Sequence, residues 1–282
     1  MRLPEEYKSL IKSKDQSSQV KNILGVKNSL NTVCDEAKCP NRGECYKKGT
    51  AAFLVMGDIC TRNCTFCNVK KGVPLPLDNK EIDELVEAVI EMNLKYTVIT
   101  SVTRDDIVDG GAAYINSMVK TLKKNIKGIQ IEILIPDLNK NPENLRFIDM
   151  RYVDVLNHNM ETVKEMYSAV RPMADYSVSL SILKTAKQMG FNVKTGIMTG
   201  VGETSDQIES LFDDVVKSGV DILTIGQYFK PGRNNLAVSK YYTSDEFDKM
   251  ADEARKRGIK NVVSGIFVRS SYNAYETFKG AK

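Results

Sequence analysis

The 282-residue chain has no tryptophan and a single histidine, His158. Without Trp the strongest base-stacking side chain is missing, and a formal net charge of +4, from 40 Lys and Arg against 36 Asp and Glu, is too small to build a phosphate-binding face. Nucleic acid is therefore not indicated as a partner. One histidine excludes a multi-His zinc or non-haem iron site and leaves one candidate for any Ser-His or Cys-His pair. Long apolar runs are absent too. The longest, at 51–56 and in the alternating stretch 129–135, fall far short of the roughly 18 residues that a membrane span requires. The opening residues Met1-Arg-Leu-Pro-Glu-Glu-Tyr-Lys8 lack the apolar core of a secretory signal, so no membrane association and a cytoplasmic location are expected. At 42% hydrophobic and 27% charged, the composition is that of an ordinary globular chain. A prior of about 150 residues per domain gives two domains, or one α/β barrel, which reaches about 250 residues.

Cysteine is absent after position 67, and all six cysteines lie between 34 and 67. Disulfide frameworks belong to short secreted chains, and this chain is neither short nor provided with a signal. Clustered thiols of this kind read as metal ligands, in two triplets: C-x4-C-x5-C at Cys34, Cys39 and Cys45, and C-x3-C-x2-C at Cys60, Cys64 and Cys67. Structural zinc closes with four ligands, commonly from paired C-x2-C knuckles, and only Cys64/Cys67 has that form. A cubane iron–sulfur cluster has four irons. A short loop with thiolates at i, i+4 and i+7 can hold three of its corners and leave the fourth iron open to a substrate or cofactor.

Periodicity places Ile82, Leu85, Val86, Val89 and Ile90 on one face of a helix over 80–93. Thr204-x-x-Gln207 and Thr243-x-x-Glu246 are capping-box patterns that open helices carrying Ile208, Leu211, Phe212, Val215 and Val216, and Phe247, Met250 and Ala254, the second stopped by Gly258. Lys120, Lys123, Lys124 and Lys127 read as a solvated helix face. Short β-rich runs occur at 53–56, 97–102, 129–135, 153–156, 193–198 and 222–225. Strands alternating with helices predict βαβ units and a parallel sheet, here a partial (β/α)6 TIM-type barrel. The expected division is an N-terminal extension over 1–50 carrying the first triplet, a barrel over 51–265, and a C-terminal tail over 266–282. Barrel chemistry sits on the loops that follow strands, which directs attention to the 60–67 loop, 101–106, 157–162, 200–204 and 226–231. Gly200-x-Gly202 alone is weak as a nucleotide signal and reads equally as a loop before a capped helix. Glu161 reads equally as a helix N-terminal residue favoured by the macrodipole.

The segment Cys60-Thr-Arg-Asn-Cys64-Thr-Phe-Cys67 resembles the cluster loop of the radical S-adenosylmethionine (SAM) superfamily. With Thr32-Val-Cys34-Asp-Glu-Ala-Lys-Cys39-Pro-Asn-Arg-Gly-Glu-Cys45 before it, the chain resembles the lipoyl synthase family. Ile131-Glu-Ile-Leu-Ile-Pro-Asp137, Asn157-His-Asn-Met-Glu-Thr162, Val170-Arg-Pro172, Gly226-Gln-Tyr228 and Arg269-Ser-Ser-Tyr272 extend the likeness over almost the whole chain. One departure is Asn273, which stands where the family tail usually has histidine.

The resemblance implies a radical SAM sulfurtransferase that inserts two sulfur atoms at C6 and C8 of a protein-bound octanoyl-lysine, giving the dihydrolipoyl group. It implies two 4Fe–4S clusters with SAM as cosubstrate. Cys60, Cys64 and Cys67 would hold the SAM-cleaving cluster. Cys34, Cys39, Cys45 and Ser271 would hold an auxiliary cluster that serves as sulfur source, which requires the tail to cross the barrel mouth. Thr103, Asn159, Glu161 and Lys194 would contact SAM. Implied partners are octanoylated carrier domains (2-oxoacid dehydrogenase acyltransferase subunits and the glycine cleavage H protein), a ferredoxin- or flavodoxin-type reductant, and an iron–sulfur carrier for cluster repair. The competing readings are a radical SAM enzyme whose second cluster relays electrons, and a zinc-stabilised interaction protein without catalysis. Sulfur in the product separates the first, and iron with acid-labile sulfide the second.

Overall fold

In the computed structural model the residues Ala-Phe-Leu-Val at Ala52–Val55 (β1) are all buried, as a strand covered on both faces must be. The structure describes residues 4–10, 30–36, 39, 41, 45 and 51–280, and the rest of the expected 1–50 extension lies outside them. Two units are formed. The first comprises Ser13–Arg62 and Val69–Leu156, and the second Met1–Lys12, Asn63–Asn68 and Asn157–Lys282. Of the described residues before β1, 4–10 fall in the second unit and 30–36, 39, 41, 45 and 51 in the first.

In the first unit β1 pairs parallel with β2 (Tyr96–Ser101), which pairs parallel with β3 (Gln130–Leu134). Asn31–Thr32 adds antiparallel to the free side of β1. Helix α1 (Lys80–Glu91) buries Ile82, Leu85, Val86, Ala88 and Val89, and α2 (Ala112–Asn125) buries Ala112, Ile115, Met118, Val119 and Leu122. Ile90, expected on the buried face of α1, is 53% exposed. At 3.6 residues per turn it is displaced by about 80° from Ile82, at the margin of the stripe. The helix ends at Glu91, and Asn93 takes a left-handed conformation (φ 50°). Of the four lysines expected on a solvated face, Lys120, Lys124 and Lys127 are exposed, but Lys123 is half-buried and donates to Asp154 at 2.6 Å and to the carbonyl of Ile129 at 2.8 Å.

The chain passes from the first unit to the second within β4 (Val155–Asn157). In the second unit β5 (Val193–Thr199), β6 (Ile222–Gln227) and β7 (Asn261–Gly265) pair parallel in that order. Helices α3 (Tyr176–Gln188), α4 (Ser205–Lys217) and α5 (Ser244–Lys256) belong to the same unit. Both expected capping boxes form, Thr204 with Gln207 on α4 and Thr243 with Glu246 on α5. No apolar run marks strand β7 in the sequence, because only Val262 of its five residues is buried. The short helix Glu5–Leu10 also belongs here. Its Tyr7 is 1% exposed, with the ring among Phe229, Tyr241 and Phe267 and the hydroxyl 3.0 Å from Gln227 Oε1 and 2.5 Å from the carbonyl of Tyr242. The fold is α/β with a mostly parallel sheet, of the partial TIM-type barrel class.

Candidate active site

The loop after β1 begins with a sharp reversal at Met56 (φ 65°) and Gly57 (φ 86°). Glu81 of α1 secures it, accepting the N–H groups of Met56 at 2.9 Å and Gly57 at 3.1 Å. Burial pushes the Glu81 carboxyl above the usual carboxylate range, opposed by those donors and by the Tyr114 hydroxyl. Gly111 sits opposite with φ 87°, a conformation that residues with a Cβ rarely adopt. The chain then forms the short strand Ile59–Cys60, paired with Lys70–Lys71. Cys60 Sγ accepts the backbone N–H of Arg62 at 3.4 Å and of Thr103, two residues past β2, at 3.3 Å. Two backbone N–H dipoles therefore converge on this sulfur and fix its direction.

Cys64 and Cys67 belong to the second unit. The N–H of Cys67 turns back to the carbonyl of Cys64 at 3.3 Å. The Asn235 amide staples this turn by donating to the carbonyls of Thr65 (3.2 Å) and Cys67 (3.0 Å), and Phe66 packs against Val170, Val201 and Tyr228. Glu161, after β4, holds a left-handed conformation (φ 67°), which is uncommon for a residue with a Cβ. It is fixed there by backbone bonds to β5: its N–H to the Gly196 carbonyl at 3.0 Å, and its own carbonyl from Met198 at 2.8 Å. Asn159 donates to Glu161 Oε1 at 3.1 Å, while Asn159 Oδ1 is buried without a hydrogen-bond partner among the described residues. Burial raises the Glu161 carboxyl above its ordinary pKa, and the Arg171 charge and the Asn159 amide oppose the rise. Lys194 is 1% exposed and is the second residue of β5, with its carbonyl bonded to the His158 N–H at 3.1 Å. It therefore stands at a strand's beginning, whereas Thr103, Asn159 and Glu161 follow strand ends.

His158 is buried, with Nε2 3.0 Å from the Ser179 hydroxyl. The glycine-rich loop after β5 holds an anion of its own: the Glu203 carboxylate accepts the N–H groups of Gly200, Val201 and Gly202 at 2.6, 2.9 and 3.0 Å. This occupies the cradle that a phosphate would need, and the loop reading of Gly200-x-Gly202 holds.

In the first triplet, Cys34 lies in the short helix Val33–Glu36 and is buried, and the Cys39 N–H returns to the Cys34 carbonyl at 3.0 Å. Cys45 donates its N–H to the carbonyl of Asn41 at 2.9 Å. All three belong to the first unit, while Ser271 belongs to the second, half-buried in a turn closed by the Tyr272 N–H on the Arg269 carbonyl (3.0 Å). None of the six cysteines is in a disulfide. Among the described residues, no three Cys, His, Asp or Glu side chains converge at the spacing of a single metal ion. Along the sequence the thiols come in threes, the number that a cubane with one open corner takes, and the sulfur of Cys60 faces two N–H donors. Glu81 and Asn235 went unread in the sequence. Nothing local marks a helix glutamate as a loop anchor, and Asn235 lies 168 residues from the cysteine it supports.

The profile of the Radical SAM superfamily matches residues 54–215. The chain is 43% identical over 276 residues to the lipoyl synthase of Caldanaerobacter subterraneus subsp. tengcongensis, covering 97% of this chain and 96% of that one. It is 43% identical over 274 residues to the lipoyl synthase of Parabacteroides distasonis, covering 97% of each. Among solved structures, the crystal structure of methylornithine synthase has a TM-score of 0.56 at 14% identity, covering 100% of this chain and 81% of that one. That likeness is one of fold.

Proposed function

This chain belongs to the lipoyl synthase family of the radical SAM superfamily, and from that premise we propose that Cys60, Cys64 and Cys67 hold the cluster at which SAM is cleaved, while Cys34, Cys39, Cys45 and Ser271 hold a second one that furnishes sulfur. The enzyme is a sulfurtransferase that uses SAM and a 4Fe–4S cluster and acts on an octanoylated carrier protein. When bound, the cluster and SAM supply a carbon radical able to take hydrogen from unactivated C–H bonds.

The chain's own residues are left with binding, orientation and the exclusion of water. His158 fits that division, since it is buried against Ser179 and is not presented as a base. Cys60, Cys64 and Cys67, at i, i+4 and i+7, would hold the cluster by three thiolates and leave it open to SAM. Asn159 and Glu161 offer a buried acceptor beside a carboxylate, a pair suited to the ammonium and hydroxyl donors of SAM. Thr103 has both backbone groups engaged, N–H with Cys60 and carbonyl with Thr61, so it has only its hydroxyl to offer. Lys194 would act from the start of β5, within the barrel wall. Ser271 is a hard oxygen donor among soft thiolates and would hold its iron least firmly, which suits a cluster that must give up sulfide.

The observation that carries the reading is the Cys60 sulfur held between two backbone N–H donors in the loop that follows the barrel strand β1, within a chain that matches its relatives over nearly their whole length. The carriers would be acyltransferase subunits of 2-oxoacid dehydrogenases and the glycine cleavage H protein. A ferredoxin- or flavodoxin-type reductant would serve it, an iron–sulfur carrier would rebuild the second cluster, and the setting would be cytoplasmic. The test is an anaerobic reaction of the reconstituted chain with SAM, a reductant and an octanoyl-lysine peptide. The expected product carries two added sulfur atoms. An oxidised peptide without sulfur would overturn the sulfur-source assignment in favour of an electron relay.

A further inference from the structure

We infer that Arg62 is a positioning residue whose buried fork onto Asp105 and Asp137 aims two backbone N–H groups at the sulfur of Cys60. The inference rests on the reading that Cys60 ligates the SAM-cleaving cluster. Arg62 lies two residues beyond Cys60, and its N–H is one of the two donors to Cys60 Sγ, at 3.4 Å. Its side chain is only 5% exposed. Nε and Nη2 reach the two oxygens of Asp105 at 2.6 and 2.7 Å, and Nη1 and Nη2 those of Asp137 at 2.8 and 2.9 Å. One planar cation thereby grips the loops that follow β2 and β3 and joins them to the cysteine loop. A lysine ammonium cannot reproduce this double fork.

The second donor is tied to the same grip. Thr61 donates its N–H (3.1 Å) and hydroxyl (3.0 Å) to the carbonyl of Thr103, and its hydroxyl also lies 2.8 Å from Asp105 Oδ2. The Asp105 N–H returns to the Thr61 hydroxyl at 3.1 Å. Thr103 is thus locked with its N–H 3.3 Å from Cys60 Sγ. The circuit Cys60, Arg62, Asp105, Thr61, Thr103 closes on itself, and neither N–H can swing from the sulfur without breaking it. N–H dipoles aimed at a ligating sulfur favour the more negative, reduced state of an iron–sulfur cluster and so raise its potential.

The test is an anaerobic redox titration of the full chain, following the cluster's electron paramagnetic resonance signal that changes on adding SAM. Arg62→Lys keeps the charge and loses the fork. The expected result is a fall of about tenfold in the reduced-to-oxidised ratio at a fixed potential, which for a one-electron couple is a midpoint lower by about 59 mV, with iron and sulfide content unchanged. Thr61→Val, which leaves the buried fork in place, should shift the midpoint the same way and by less, and it decides the matter if Arg62→Lys fails to fold. Wild-type midpoints in the folded variants would overturn the positioning role. Cys60→Ala separates this from the parent reading: retention of the SAM-responsive signal overturns the ligand assignment and the positioning role with it, whereas loss of that signal alongside unchanged midpoints in the other variants overturns the positioning role alone.

Discussion

An oxygen in place of a sulfur is the smallest difference on which the proposed chemistry turns. If Ser271 is the weak corner of the second cluster, Ser271→Cys should keep the iron content and SAM cleavage yet lose complete sulfur insertion, because thiolate holds the iron that must leave. Peptide mass after a single turnover checks this, and full dihydrolipoyl formation would refute it. Glu161 gives a pH prediction. Its carboxyl is raised above the ordinary value of 4.5, so the folded state holds the proton more tightly than the unfolded chain does. The resulting penalty is absent below 4.5, where both states are protonated, and grows as pH rises through the folded-state value. Glu161→Gln should therefore gain stability relative to the wild type as pH is raised, read as urea midpoints at pH 4 and pH 8, and a gap that does not change with pH would contradict the burial argument. At this scale the grouping of the six cysteines into two triplets is legible because thiol spacing is a local property. Asp105, Asp137 and Asn235 were not legible as supports, because Asp137 meets Arg62 75 residues away and Asn235 meets Cys67 168 residues away.

Helix starts were the most legible elements, because a capping box is written within four consecutive residues and needs no tertiary partner. Thr243 accepts the Glu246 N–H at 3.3 Å while Glu246 accepts the Thr243 N–H at 2.8 Å. Thr243→Ala should lower stability by about 1 kcal/mol, moving the denaturation midpoint without changing the slope. Six strands were found from their apolar runs, since parallel strands buried on both faces read as continuous hydrophobic segments. Strand β7 broke that rule by burying one residue of five. A close approach at β6 was equally hidden: a Cβ on Gly226 would lie 2.1 Å from the Val268 carbonyl oxygen. Gly226→Ala should cost roughly 1–3 kcal/mol by overpacking, and a wild-type denaturation midpoint would show that the segment after β7 yields freely.

For the molecule as a whole, two triplets of thiolates predict about eight irons and about eight sulfides per chain under anaerobic reconstitution. Alanine at Cys60, Cys64 and Cys67 should abolish SAM cleavage, and alanine at Cys34, Cys39 and Cys45 should spare cleavage and end sulfur insertion. Thiolation by the second triple variant would remove the auxiliary cluster as sulfur source. The family was legible from motifs spread along the chain, but the grouping of its first residues with its last was not, because Tyr7 has no sequence signal pointing to partners 220 and 235 residues away. That separation becomes a delay during synthesis. At about 5–20 residues per second, a nascent chain carries Tyr7 for roughly 10–50 s before Gln227 and Tyr242 exist to receive it. A chain abandoned on the ribosome before that point keeps its aromatic ring in water, and a chain completed and folded hides it.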